Sequence, residues 1–338
     1  MNKRKLKVKD LTFSFLPGWW ARHFGLKFGR SYYMDPEYRM KLSTEIIKLT
    51  IENYGSLLVK EPEIRDVPVK LDFGNATTGA YVGCDYEFPD DDAARNRHLD
   101  PDKLGSLKVP DRIENCFPYN EIISQTNNMN RKYSYNEMPS ILPRGILNEA
   151  FLVAGDSVLS DMYENPDEAR RLLDFSYGLL GKTVEYNAGI GYRGLVRVLN
   201  CMVELVSPDM YKEWLLPYDM KIYDLSVKHG MTFGIHHCGH FNGKMIDNYR
   251  QIPKFAYLQI GFDSDLEKTI RMFPEAEIHY IFDPVYCQKE SKKNIAGKAE
   301  DILKQAGDSA GKISVGVGAI DYGVAPENLQ VIFDVLTE

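Results

Sequence analysis

The sequence predicts an α/β protein, a (β/α)8 TIM barrel carrying an N-terminal helical and irregular extension. Three observations lead there. The second half alternates short apolar runs with helix-like segments at intervals of roughly 20 to 45 residues, the mark of a parallel sheet. Six such units plus one further candidate strand favour a barrel over an open sheet. The length, 338 residues, suits one barrel with additions. The glycine pattern also fits. The run from Gly189 to Gly194 reads Gly-x-Gly-x-x-Gly, but it follows a helix and precedes a strand, the reverse of a dinucleotide fingerprint, so it reads as a flexible loop.

Taken in order, Pro36 to Tyr54 reads as one amphipathic helix closed by Gly55. Val67 to Phe73 (VPVKLDF) is the candidate first strand. Residues 85–145, rich in Asp, Asn, Pro and Tyr, show weak periodicity and read as a lid-like insertion. The whole chain, 1–338, is then a single barrel domain in which 1–60 are the N-terminal extension. The strands that follow are Phe151 to Gly155, Leu195 to Asn200, Met231 to Ile235, Phe255 to Ile260, Glu277 to Phe282 and Ile313 to Val317. Helices follow them, opened by Asn165-Pro166, Ser207-Pro208, Ser291 and Pro326; a shorter one spans Lys244 to Arg250.

Composition excludes several classes. The chain is 44% hydrophobic and 26% charged, with a net charge of −7, which argues against a nucleic-acid surface. The one basic run, Lys3 to Lys9, reads as a solvated strand or tail. No apolar run approaches the ~20 residues that span a bilayer, and nothing resembles a signal peptide, so the expectation is a cytoplasmic enzyme. Trp19 and Trp20 are expected to pack inward rather than anchor the chain to a membrane surface. Five scattered cysteines, Cys84, Cys116, Cys201, Cys238 and Cys287, do not form a disulfide framework and fit a reducing compartment in which thiolates can bind metal.

The chemistry concentrates at Ile235-His236-His237-Cys238-Gly239-His240, directly after a strand, where a barrel places its functional groups. Residues i and i+2 of an extended segment point the same way. His236 and Cys238 therefore face one point and His237 faces away. Imidazole and thiolate together suit zinc in a tetrahedral shell, and a catalytic zinc needs a third protein ligand. Cys201, after the preceding strand, is the first choice. Cys287 is the second, and Asp263 or Asp283 are carboxylate alternatives. Asp283 is also the candidate catalytic carboxylate beside His236 and Cys238, although Asp283-Pro284 equally reads as a structural turn.

Several stretches resemble the uroporphyrinogen decarboxylase superfamily, most closely its corrinoid-dependent methyltransferase branch. They are Leu205 to Tyr211 (LVSPDMY), Leu216-Pro217-Tyr218 with Lys221, Gly230 to Gly239 (GMTFGIHHCG) and Val315 to Phe333. The resemblance spans roughly residues 150–338, and its most specific piece is His-x-Cys-Gly after a strand. It implies transfer of a methyl group between a small methylated donor and a corrinoid carried on a separate protein, with zinc as Lewis acid. Methoxylated aromatics are a natural donor class, and Phe73, Tyr81, Tyr86, Phe88, Phe117 and Tyr119 could line a pocket for them.

The chain also departs from the pattern. The Gln-Ala-Gly-Arg-Tyr run of the decarboxylases has only a faint echo in Gly29-Arg30-Ser31-Tyr32. The second cysteine that coenzyme M methyltransferases carry near the last strand is missing from Ile313 to Tyr322. The alternatives are a metal-free decarboxylase, which would need cations at the strand ends, and a non-catalytic barrel that binds a corrinoid or tetrapyrrole.

Overall fold

Parallel strands followed by helices carry the structure, a computed structural model that describes residues 4–59, 82–240 and 243–338. The chain divides into two units. The first comprises Met1–Val69, Pro89–Ala93 and Leu258–Glu338; the second comprises Lys70–Phe88 and Ala94–Tyr257.

In the first unit β1 (Asp10–Phe15) lies beside β8 (Ser314–Ile320), followed by β7 (Glu277–Phe282) and β6 (Tyr257–Ile260), whose first residue is the last of the second unit. β1 pairs in parallel with β8 from Asp10↔Ser314 to Phe13↔Val317. β7 pairs in parallel with β8 from His279↔Ser314 to Phe282↔Val317. The helix Pro17–Phe24 starts on a proline and ends at Gly25, whose φ of 68° is the left-handed turn that favours glycine. It brings Trp19 and Trp20 against Phe15, with ring centroids 4.2 and 4.9 Å away. The Trp19 indole N–H donates to the Val324 carbonyl at 2.9 Å. Both tryptophans are buried, as expected of packing residues. The helix Pro36–Tyr54 runs over the span read from the sequence and is capped by Asp35, whose carboxylate accepts from the Glu37 and Tyr38 amides.

In the second unit a short antiparallel pair, β2 (Tyr86–Glu87) with β3 (Arg95–Asn96), precedes the helices Tyr119–Tyr133, Ile146–Ala154 and Pro166–Gly189. β4 (Leu195–Leu199) and β5 (Thr232–His236) then pair in parallel, from Leu195↔Thr232 to Leu199↔His236. Between them a helical stretch from Pro208 to Lys228 contains a five-residue π segment, Tyr211–Leu215. Pro217 explains it: with no N–H to give the preceding turn, the helix changes its hydrogen-bond register locally.

The structure corrects three expectations. Phe151 to Gly155 is no strand; it is the end of the helix Ile146–Ala154. Its buried residues Ile146, Leu147, Ala150 and Val153 follow the helical period, which a five-residue apolar window cannot reveal. The first described strand is β1, hidden beside the basic run at the N-terminus. Within 85–145 lies the fifteen-residue helix Tyr119–Tyr133, whose buried face includes Gln125 and Thr126, so polar residues masked its periodicity. The candidate strand Val67 to Phe73 lies outside the described residues. The described residues hold six strands of the parallel set. No helix among them is long and apolar enough to cross a membrane. The loop reading of Gly189 to Gly194 agrees with the structure, where Gly191 takes a φ of 86° between helix and β4.

Trp19 tests the first unit. Trp19→Ala removes a fully buried side chain and its indole hydrogen bond, and should cost about 3–5 kcal/mol. Urea denaturation followed by far-UV circular dichroism measures it.

Candidate metal centre

β4 and β5 end side by side. In their parallel register Leu199 faces His236, and the Asn200 amide N–H continues the ladder by donating to the His236 carbonyl at 2.7 Å. Cys201 stands two residues after Leu199, and Cys238 two residues after His236. The two cysteines are thus equivalent positions on neighbouring strand ends. A donor atom from each of Cys201, His236 and Cys238 lies within 4.8 Å of the other two. Among the described residues they form the group of three His, Cys, Asp or Glu side chains close enough to share one ion. All three are half-buried. Tetrahedral zinc, with bonds of about 2.3 Å to sulfur and 2.0–2.1 Å to nitrogen, holds its ligands roughly 3.5–3.8 Å apart. A spread of at most 4.8 Å brackets that range. Two sulfurs and one imidazole are the donor set zinc prefers, and three protein ligands leave one position open.

The thiols are electrostatically paired. A hydrogen bond from Cys238 draws the Cys201 thiol well below the usual range; burial opposes this, and contacts from His236 and Asn148 assist it. Cys238 moves the opposite way, raised by the same contact with Cys201, then by burial and by the nearby Glu204 charge. The opposite directions favour loss of a proton from Cys201 first, and metal binding requires thiolates.

Residues around the donors fix their loops. Cys201 begins a 3-10 turn, Cys201–Leu205. Asn148, on the helix Ile146–Ala154, accepts from the Met202 amide at 3.0 Å through Oδ1. That helix approaches the end of β4 so closely that a Cβ on Gly145 would collide with the Leu199 carbonyl. Glu204 Oε2 accepts from the His240 amide at 3.0 Å and ties the two loops together. A Cβ on Gly239 would strike that same carboxylate, which is the local reason for the glycine in His-x-Cys-Gly.

His237 faces away from the cluster, as the alternation requires. It is fully buried, with Nδ1 2.7 Å from the Tyr249 hydroxyl and Nε2 3.0 Å from the His240 carbonyl. Behind Cys201, Asp219 is 1% exposed and accepts from Asn200 Nδ2 at 2.8 Å and from the Tyr211 hydroxyl at 2.6 Å. Burial pushes its carboxyl up to about 6, against these two hydrogen bonds.

Cys201 is the third side chain that the structure brings together with His236 and Cys238. Cys287, the second choice, is a fully buried thiol of the first unit, pushed up to about 12 by burial and then by the Asp283 charge. Asp283 caps the helix Pro284–Lys289, accepting from the Val285 amide at 2.7 Å. Of the aromatic residues singled out, Tyr86 packs on Phe88 and Phe117 with centroids 5.8 and 5.9 Å apart, and Tyr119 is buried. Phe73 and Tyr81 lie outside the described residues. The sequence reading missed Asn148, Asn200, Glu204, Asp219, Tyr211 and Tyr249. One signal was present: Asp219 occupies the buried face that Leu216, Ile222 and Ser226 share at helical spacing.

Residues 72–338 match the family described as Uroporphyrinogen decarboxylase (URO-D). The chain belongs to the uroporphyrinogen decarboxylase family. No curated protein matches it. Among solved structures it is similar to a methyltransferase from Methanosarcina mazei, at 15% identity and a TM-score of 0.66, over 98% of this chain and 93% of that one. At that identity the likeness speaks for a shared fold. A putative vitamin-B12 independent methionine synthase from Listeria monocytogenes matches 54% of this chain and 62% of its own, at 12% identity and a TM-score of 0.32, too distant to carry an argument.

Glu149, next to Asn148 on the same helix, offers a test of burial. Burial raises its carboxyl from 4.5 to about 8, with Arg144 opposing the shift. Below about pH 4.5 folded and unfolded chains both keep the proton. Between 4.5 and about 8 only the folded chain keeps it, so rising pH favours unfolding, and above about 8 the penalty is complete. Glu149→Gln should remove this slope. The urea midpoint of the variant should gain on the wild type as pH rises from 5 to 8; parallel pH profiles would refute the assignment.

Proposed function

We propose that this member of the uroporphyrinogen decarboxylase family is a zinc-dependent methyltransferase. It moves a methyl group between a small methylated donor and a corrinoid carried on a separate protein. One observation carries the reading: two thiols and an imidazole converge at the ends of two adjacent strands. Soft donors so placed suit a metal centre better than the cationic grip a decarboxylase needs for its substrate's carboxylates. The family match and the fold shared with a methyltransferase support the same choice.

Cys201, His236 and Cys238 would hold the ion. Bound there, zinc supplies positive charge to the oxygen or nitrogen that leaves the methyl group, an effect worth several kcal/mol in comparable sites. The chain's own residues prepare the position. The two cysteines and the imidazole offer soft donors, and Asn148 steadies the turn that Cys201 begins. Glu204 holds the loop of Cys238 to the loop of Cys201. Half-burial leaves the donors within reach of a substrate entering from the strand ends. An O-methyl aromatic is the donor class we assign, and closure of the sheet as a (β/α)8 barrel belongs to the same proposal. Asp283 stands outside the reading, since its carboxylate is committed to a helix cap.

Metal content and turnover test the proposal. Purified wild-type protein should carry about one zinc per chain, and Cys238→Ala or Cys201→Ala should lose most of it while keeping the far-UV spectrum of the fold. Mixing the enzyme with a cobalt(I) corrinoid carrier and methoxybenzenes, methylamines or methanol should convert the cobalt(I) absorption to that of methylcobalt(III). Full zinc retention in both variants would remove the metal assignment. Release of carbon dioxide from a porphyrinogen-like acid, with no cobalt conversion, would replace methyl transfer by decarboxylation.

A further inference from the structure

The residues flanking the three donors point away from them, and they are tied to one another. Asn200 directly precedes Cys201, and His237 sits between His236 and Cys238. The hydrogen bonds joining them have one consistent direction. The His240 carbonyl can only accept, so His237 Nε2 carries the proton and donates to it. In this tautomer Nδ1 accepts, from the Tyr249 hydroxyl at 2.7 Å. The Tyr211 hydroxyl donates to Asp219 at 2.6 Å and its ring packs edge-on against Tyr249, centroids 5.3 Å apart, while burial raises the Tyr249 hydroxyl and the Asn200 side chain draws it down. Asn200 donates to Asp219 at 2.8 Å, and the Asp219 carboxylate ends that side of the set as an acceptor. Tyr249 and Asp219 are at most 1% exposed, so water offers neither of them a replacement partner.

We propose that Asp219 is the positioning residue of the metal centre: it fixes the Asn200 amide and, through Tyr249, the His237 ring, and so sets the spacing of Cys201, His236 and Cys238. This rests on reading those three side chains as a metal site. The mechanism is geometric. Asn200 presents its NH2 group to Asp219 in one amide orientation only. An amide at position 219 brings a donor into the place of an acceptor, and the Asn200 side chain must turn or part from it. That movement passes directly to Cys201, its neighbour in the chain, and through Tyr249 to the residue between the other two donors. A carboxylate two links from the ion therefore governs both strand ends.

The test uses the full chain. The zinc dissociation constant is measured by competition with a chromophoric chelator, and the absorption bands of the cobalt(II)-loaded protein report the donor geometry. Asp219→Asn and Tyr249→Phe should each weaken zinc binding about 10–100-fold, the usual cost of losing a group that orients a ligand. Both should shift the cobalt bands. Combined, they should cost less than the product of the two, because they break one chain. Ile222→Val, a core change on the same helix, should lower the melting temperature and leave zinc affinity and cobalt bands as in the wild type. Tyr249→Phe removes a single hydroxyl, so it carries the test if Asp219→Asn fails to fold. Wild-type zinc affinity with unshifted bands in Tyr249→Phe would overturn the proposal, as would losses in Ile222→Val equal to those in Tyr249→Phe. A wild-type protein that binds no zinc would instead remove the metal-centre reading, and this inference with it.

Discussion

The parallel register of β4 and β5 is the constraint on which the site depends. Leu199 stands opposite His236, and one further ladder bond, from the Asn200 amide to the His236 carbonyl, carries the alignment past the end of both strands. Strands pair at about 4.8 Å, so residues two beyond a paired position arrive as neighbours. This makes Cys201 and Cys238 a pair, although 37 positions separate their numbers in the chain. A slip of one residue would turn every side chain of β4 to its opposite face and put Asn200 where Cys201 belongs.

The two faces of these strand ends carry different chemistry for that reason. One presents sulfur and imidazole, half open to solvent. The other buries Asn200, His237, Tyr249 and Asp219, with Asn200 bonded to Asp219 and His237 to Tyr249. A buried polar group left unmet costs about 1–3 kcal/mol, more than a typical bond contributes, so each member demands its neighbour. Such a set is a weak source of stability and a strong source of definition. It admits few alternative side-chain positions, and a metal site with an open coordination position needs its remaining ligands held in place.

Much of this was legible in the sequence. Strands from Leu195, Met231, Phe255, Glu277 and Ile313 onward were bounded to within a few residues, because turn residues and alternating helices frame each run. His236 and Cys238 were legible as a pair because they belong to one strand end, and His237 was legible as their opposite by the same alternation. Cys201 was only a first choice among several, since its position depends on register between two strands, and a single sequence does not display register. Pairing of β1 with β8 joins the two ends of the chain and is hidden for the same reason. The helix Ile146–Ala154 was misread because a short apolar run lacks the length that separates a buried strand from a buried helix. The buried network was missed because its polar members look like surface residues until the helical period around Asp219 is weighed.

X-ray absorption at the zinc edge of the purified protein tests the central claim most directly. Two sulfur scatterers at about 2.3 Å and one nitrogen at about 2.0–2.1 Å, with a light atom in the fourth position, is the shell that Cys201, Cys238 and His236 require. A shell of oxygen and nitrogen alone, or one containing a single sulfur, would contradict the account.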